Sequence, residues 1–102
     1  MVRKEVFNEV NGFDKSYALA FNDVDFCLKL REKNYLIVWT PYAELYHYES
    51  KTRGYEDTPE KRVRFLSEIE IFERKWKNVL LKGDPYYNPN LSLQKEDFSL
   101  RL

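Results

Sequence analysis

The stretch Asn11–Leu30, NGFDKSYALAFNDVDFCLKL, decides how the fold of this chain is predicted. It opens with turn residues, continues without a clear period, and ends in an apolar segment with helical spacing. Asn22 is a favoured N-cap residue, and Asp25 three positions later resembles the second half of a capping box. We therefore predict a helix from Asn22 to about Lys33, with Asp23 and Asp25 in its first turn.

The two acids of this turn are expected to face different surroundings, because a helix rotates by about 100° per residue. Asp25 is predicted on the polar side with Lys29 and Glu32, and Asp23 beside the apolar edge. A carboxylate at a helix N-terminus is kept ionised, and next to an apolar surface it can act as a general base. Ordinary helix capping is the competing interpretation of Asp23.

Two β-prone runs follow the helix. The run Tyr35–Trp39, with the sequence YLIVW, is typical of a strand that is buried on both faces. The run Ala43–Tyr48, with the sequence AELYHY, is typical of a shorter strand with alternating apolar and polar residues. His47, the one histidine of the chain, ends the second run. A neutral imidazole there can ligate a divalent metal, although no neighbouring cysteine or second histidine completes a site. A structural or surface histidine is the alternative.

The segment from Glu49 to Thr58 is polar and is predicted to be a loop. Ser50 and Arg53 lie in it, just before Gly54. Hydroxyl, backbone N–H and guanidinium groups in a glycine-ended loop can hold phosphate oxygens. A solvated loop without a ligand is the competing interpretation.

A long helix is the strongest periodic signal of the chain. Thr58 or Asp57 is expected to cap it, and Pro59 suits its first turn. Its core stripe recurs at i, i+4, i+7 and i+11, and consists of Phe65, Ile69, Phe72 and Trp76. A short helix over residues 3–10 is predicted at the start of the chain, and residues 83–102 are expected to form an extended arm.

Composition narrows the class of protein. The 102 residues suffice for one small domain. Because 17 basic residues balance 17 acidic ones, the chain has no net positive charge that would favour binding to nucleic acid. A single cysteine, Cys27, cannot form an internal disulfide and favours a reducing compartment. No apolar run approaches the ~20 residues of a transmembrane helix, and no signal-peptide stretch opens the sequence.

Three stretches of the sequence form one combined pattern: NGFD (11–14), NDVDFCLKLREKNYLIVWTPYAELYHYES (22–50) and KTRG (51–54). This pattern resembles the C-terminal, acceptor-side half of a family 2 glycosyltransferase. The resemblance is to the bacterial type that builds surface polysaccharide. It implies an α/β fold, a partial GT-A domain of which only the C-terminal half is present, over residues 1–82. It also implies that Asp23 is the catalytic base, that His47 contacts the metal or the diphosphate, and that Ser50 and Arg53 close over the donor diphosphate.

The implied reaction moves a sugar from a nucleotide-sugar donor to a glycan or lipid-linked acceptor. The full-length enzyme would use a divalent metal, Mn or Mg, and work in the cytoplasm or peripherally at the inner face of the membrane. The family's nucleotide-binding half and its DxD motif would lie upstream, so this chain alone is predicted to be inactive and to bind no metal. A non-catalytic binding module that retains the family's shape is the alternative. Self-association is expected through an exposed sheet edge or the C-terminal arm.

Overall fold

The computed structural model describes residues 1–48 and 58–101. These residues form four helices: α1 (Lys4–Glu9), α2 (Asn22–Glu32), α3 (Pro59–Lys75) and α4 (Lys77–Lys82). The predicted helices at the start of the chain, after the NGFD turn and along the core stripe are therefore confirmed. Trp76 separates α3 from α4, and Gly83 ends α4 with a positive φ of 74°.

The predicted α/β fold, a partial GT-A domain, is wrong. Within the described residues the helices account for the regular structure, and neither β-prone run forms a strand. Leu36, Val38 and Trp39 are 78, 75 and 84% exposed instead. A strand needs a neighbour that satisfies its backbone groups, and a lone two-stranded hairpin is marginal in water. Two short β-prone runs therefore do not suffice to build a sheet.

The turn after α1 has the predicted chemistry. Asn11 and Gly12 both adopt left-handed φ values, 61° and 60°. The Gly12 N–H donates to the Phe7 carbonyl at 2.8 Å, and a Cβ at Gly12 would lie 2.7 Å from the Phe7 ring. Phe13 then packs edge-on against Phe7, with ring centroids 5.5 Å apart. The turn thus reverses the chain over the helix that it ends.

The start of α2 differs from the prediction. The N-cap is Phe21, with φ 65°, and no side chain caps the helix. Asn22 lies inside α2, and its Oδ1 accepts from the Asp23 N–H at 2.8 Å. The Phe21 ring stacks on Phe65 and Phe72, with centroids 5.8 and 5.0 Å apart. Aromatic packing against α3, rather than a polar cap, therefore decides where α2 begins.

The C-terminus of α2 and the N-terminus of α3 follow the sequence signals. Asn34 adopts the predicted left-handed conformation, with φ 65°. Thr58 is the N-cap of α3, its side chain accepts from the Lys61 N–H at 3.3 Å, and Pro59 occupies the first position. Both ends are therefore set by local residue chemistry.

The helices enclose two small apolar clusters, one with α1 and one with α3, and α2 contributes to both. The first cluster contains Val10, Phe26 and Leu30, with Val6, Phe7 and Tyr35 packed against it. The second contains Tyr17, Phe72 and Trp76, with Phe21, Leu28 and Ile71 packed against it. Phe72 and Trp76 belong to the predicted core stripe, so that interpretation is confirmed for the C-terminal half of the stripe.

The tail contains local pairing. Leu91 and Leu100 form an isolated antiparallel bridge, beside which the Ser92 N–H donates to the Ser99 carbonyl at 2.8 Å. The Arg101 N–H donates to the Asn90 carbonyl at 2.7 Å. The segment predicted as an extended arm thus pairs with itself between residues 90 and 101. None of the helices in the described residues combines the length and the apolar character needed to span a membrane.

Candidate functional site

Asp23, the predicted base, lies in the first turn of α2 and is exposed. Its Oδ1 accepts a hydrogen bond from the Val24 N–H at 2.8 Å. The helix N-terminus carries partial positive charge, which favours an anion at this position. The carboxylate is thus accessible to a ligand at the N-terminal end of α2.

Asp23 lines an open groove of about 670 Å³. The groove runs between the chain start, α2 and residues 35–38, and its wall is mainly apolar. Arg3 provides a positive charge on the wall, and Phe13, Phe26 and Ile37 are among its apolar members. Asp23 thus lies beside the apolar side chains of Phe26 and Leu30, as the helix spacing predicts, and its role as a general base stays a prediction.

Cys27 lies one turn after Asp23 and lines the same groove. Burial raises the pKa of the Cys27 thiol, and the negative charge of Asp23 raises it further. A thiol with a raised pKa remains protonated at neutral pH and is a poor nucleophile. Cys27 therefore contributes apolar wall rather than reactivity.

Asp25 occupies a different environment from the one predicted. It is fully buried, at 0% exposed, and does not cap α2. Its Oδ1 accepts from the Trp76 indole N–H at 2.8 Å and lies 2.8 Å from the Lys75 Nζ. The Lys29 Nζ lies 3.7 Å from Oδ2. The assignment of Asp25 to a polar face is therefore wrong. The Trp76 N–H donates to the buried carboxylate, and the positive charges of Lys75 and Lys29 lie beside it and compensate its charge.

The charges around Asp25 also reach the NGFD turn. Lys29 donates to the Gly12 carbonyl at 2.6 Å, and Lys75 donates to Asp14 Oδ2 at 3.2 Å. Burial opposes the charge of Lys75, but its hydrogen bonds to Asp25 and Asp14 raise its pKa overall. The cluster therefore joins the turn, α2 and α3, and it holds the helix that carries Asp23.

Tyr17 is a further buried group of this region, at 3% exposed. Burial raises the pKa of its phenol, and the charge of Asp25 raises it further. The ring packs against Phe72, with centroids 6.2 Å apart. Tyr17 therefore stays neutral and forms part of the apolar boundary of the charge cluster.

Of the remaining predicted site residues, the structure describes His47 alone. His47 is exposed, in a segment without strand structure, and is not among the described residues that line the groove. Ser50 and Arg53 lie outside the described residues. Within residues 1–48 and 58–101, no group of three or more His, Cys, Asp or Glu side chains could hold a metal ion.

The sequence interpretation missed two buried acids, Asp25 and Glu68. Glu68 lies three residues after Phe65 and four before Phe72, so the stripe spacing placed it on the core side of α3. The core position of Trp76 was a signal that an acceptor such as the Asp25 carboxylate would be buried with it, because a buried indole N–H normally has an acceptor. Both acids could have been recognised as buried by asking which polar groups share the face of the stripe.

The chain is similar to segments of three larger proteins. It is 50% identical over 101 residues to the uncharacterized protein y4gI of Sinorhizobium fredii, a match over 98% of this chain and 11% of that protein. It is 37% identical over 101 residues to the O-antigen biosynthesis protein RfbC of Myxococcus xanthus, over 99% of this chain and 8% of that protein.

The third similarity is to the N-acetylglucosaminyl-diphospho-decaprenol L-rhamnosyltransferase of Mycobacterium tuberculosis. The two are 35% identical over 54 residues, which is 53% of this chain and 18% of that enzyme. No protein-family model matches the chain, and no solved structure matches it. The chain thus spans a small part of each protein that it resembles, and the predicted relation to glycosyltransferases is confirmed at the level of a related segment.

Proposed function

We propose that this chain is the segment of a glycosyltransferase of polysaccharide synthesis that carries the catalytic base, Asp23. The observation that carries the proposal is the exposed carboxylate at the start of α2, at the edge of an apolar groove. The similarity to a rhamnosyltransferase and to a protein of O-antigen biosynthesis supports it.

In the proposed reaction the Asp23 carboxylate takes the proton of the acceptor hydroxyl. The hydroxyl oxygen forms a bond to the anomeric carbon of the donor sugar, while the bond from that carbon to the diphosphate oxygen breaks. The nucleoside diphosphate leaves with the electron pair of that bond. General-base assistance of this kind contributes about 10²–10⁴-fold to a rate.

The described residues do not fit a metal centre, because His47 stands without a cluster of further ligands there. The divalent cation and the closing of Ser50 and Arg53 over the diphosphate remain predictions for the longer protein. The proposed location is the cytoplasm, since a lone Cys27 suits a reducing compartment.

The experiment uses the natural polypeptide in which this sequence occurs. It is incubated with uridine, guanosine and thymidine diphosphate sugars and a bacterial lipid extract, and nucleoside diphosphate release is measured. Asp23→Asn should lower the rate about 10²–10⁴-fold. Glu32→Gln, which changes an exposed acid at the far end of the same helix, is the matched control and should leave the rate unchanged. Full activity of Asp23→Asn would refute the assignment of the base. No release of nucleoside diphosphate by the natural polypeptide would favour the non-catalytic module.

A further inference from the structure

Glu68 is a buried acid in the middle of α3 that the proposed chemistry does not use. It is 2% exposed. Its carboxylate accepts from three consecutive backbone N–H groups some 50 residues earlier in the chain. The distances are 2.6 Å from Ala18 and 3.0 Å from Leu19 to Oε1, and 3.2 Å from Leu19 and 2.9 Å from Ala20 to Oε2.

Three adjacent N–H groups that converge on one carboxylate form an anion-binding arrangement of the backbone. Both carboxylate oxygens of Glu68 accept hydrogen bonds from the loop. These bonds fix the orientation of the carboxylate and the position of the loop relative to each other. A buried charge without such partners would be strongly unfavourable. Glu68 therefore ties residues 18–20 to α3.

The loop that Glu68 holds leads directly to the start of α2. Ala20 is followed by Phe21, a non-glycine residue at φ 65°, and the candidate base lies two residues further on. A bulky residue in the left-handed region persists only where its surroundings enforce it. The hydrogen bonds to Glu68 on one side and the stacking of Phe21 on α3 on the other provide that enforcement.

Helix α3 thus holds the chain on both sides of Asp23. Glu68 fixes the loop before it, and Lys75 and Trp76 bind Asp25, two residues after it. We propose that Glu68 is a positioning residue, which sets the place of the Asp23 carboxylate relative to the acceptor hydroxyl. This inference rests on the proposed role of Asp23 as the base.

The change Glu68→Gln keeps the size of the side chain and removes one acceptor. The amide NH₂ would then face a backbone N–H group, so the loop must shift to avoid two opposed donors. A shift of about 1 Å at a catalytic group can cost about 10²-fold in rate. Since no residue of the donor pocket is altered, kcat should fall about 10–100-fold while KM for the nucleotide sugar stays the same.

The test is a double-mutant cycle in the natural polypeptide. Glu68→Gln is measured alone and in combination with Asp23→Asn, and Glu73→Gln, an exposed acid of the same helix, is the control. If Glu68 acts through Asp23, Glu68→Gln lowers kcat in the natural background and has no further effect once Asp23 is Asn. An equal fall in both backgrounds, or no fall in either, overturns the positioning role. If Asp23→Asn alone retains full activity, the base assignment fails first and the positioning role with it.

A second measurement covers the case in which Glu68→Gln does not fold. Amide hydrogen exchange of Ala18, Leu19 and Ala20 is followed in the unaltered protein by NMR. Exchange far slower than in an unstructured peptide supports a loop held by Glu68. Exchange of all three amides at the rate of an unstructured peptide overturns the inference without any variant.

Discussion

Replacing Asp25 by Asn removes the negative charge that joins α2 to the end of α3. The variant keeps an oxygen for the Trp76 indole, 2.8 Å away, but Lys75 and Lys29 lose their buried counter-charge. A hydrogen bond to a charged group contributes about 1.5–3 kcal/mol, and breaking a buried ion pair costs about 3–5 kcal/mol. Lys75 and Lys29 are 35 and 16% exposed, so water recovers part of this loss.

We therefore expect Asp25→Asn to lower the free energy of unfolding by about 2–4 kcal/mol. For a chain of this length each kcal/mol shifts the melting temperature by about 4–8 °C, so a fall of about 10–30 °C is expected. Urea unfolding and thermal melting of the 102-residue chain, followed by circular dichroism, measure both quantities. An N-terminal cap would have cost only about 1 kcal/mol, so the size of the effect separates the buried role from the capping role.

The matched control is Glu70→Gln, which also removes an acid that pairs with a cation. Glu70 and Arg74 lie 3.2 Å apart but are 73 and 76% exposed. An exposed pair of this kind contributes about 0.5 kcal/mol or less. If Asp25→Asn destabilises the chain no more than Glu70→Gln does, the buried charge cluster does not hold the two helices together.

Two further perturbations test the turn that precedes α2. Gly12→Ala should lower the free energy of unfolding in urea more than Gly83→Ala does. Both glycines have a positive φ, 60° and 74°. At Gly12, however, the new Cβ would also lie 2.7 Å from the Phe7 ring, whereas nothing lies within 4 Å at Gly83. Equal costs would contradict the close approach of Phe7. The hydrogen bond from the Ser16 N–H, with Lys75, holds the pKa of Asp14 at about 2, below its ordinary 3.8. The ionised Asp14 carboxylate should therefore add about 1 kcal/mol to the free energy of unfolding, after solvent screening. This contribution should be complete above pH 3.8 and lost as the pH falls toward 2. Asp14→Asn should flatten the stability–pH curve in that window, and an unchanged slope would count against the pair.

Local signals in the sequence predicted the helices well. The Thr58–Pro59 start of α3 and the Asn34 end of α2 depend on single residues with strong conformational preferences, so they could be read from sequence. The start of α2 could not, since the ring of Phe21 is held by α3, more than forty residues away. A contact at that separation leaves no mark in a local pattern.

The prediction of a strand at Tyr35–Trp39 was wrong for a different physical reason. Its β-branched and aromatic residues report a preference for pairing, whereas a sheet also requires a partner strand. At the candidate site, helix periodicity correctly separated Asp23 from Asp25 but gave Asp25 the wrong surroundings. An acid is assigned to the polar face by default, and only the positions of Lys75 and Trp76 in space reverse that assignment.

The attachments to α3 of α2 and of the loop before it have a consequence for how this chain tolerates changes of length. Glu68 and the Asp25 cluster hold α2 and the chain just before it against α3, across the stretch of chain that joins the two helices. Loop-closure entropy rises by only about 0.6 kcal/mol for each doubling of loop length. Residues inserted at the exposed Pro41–Tyr42 turn would thus add little to the cost of closing that stretch of chain. Segments with new contacts can therefore be exchanged there while the place of Asp23 is kept.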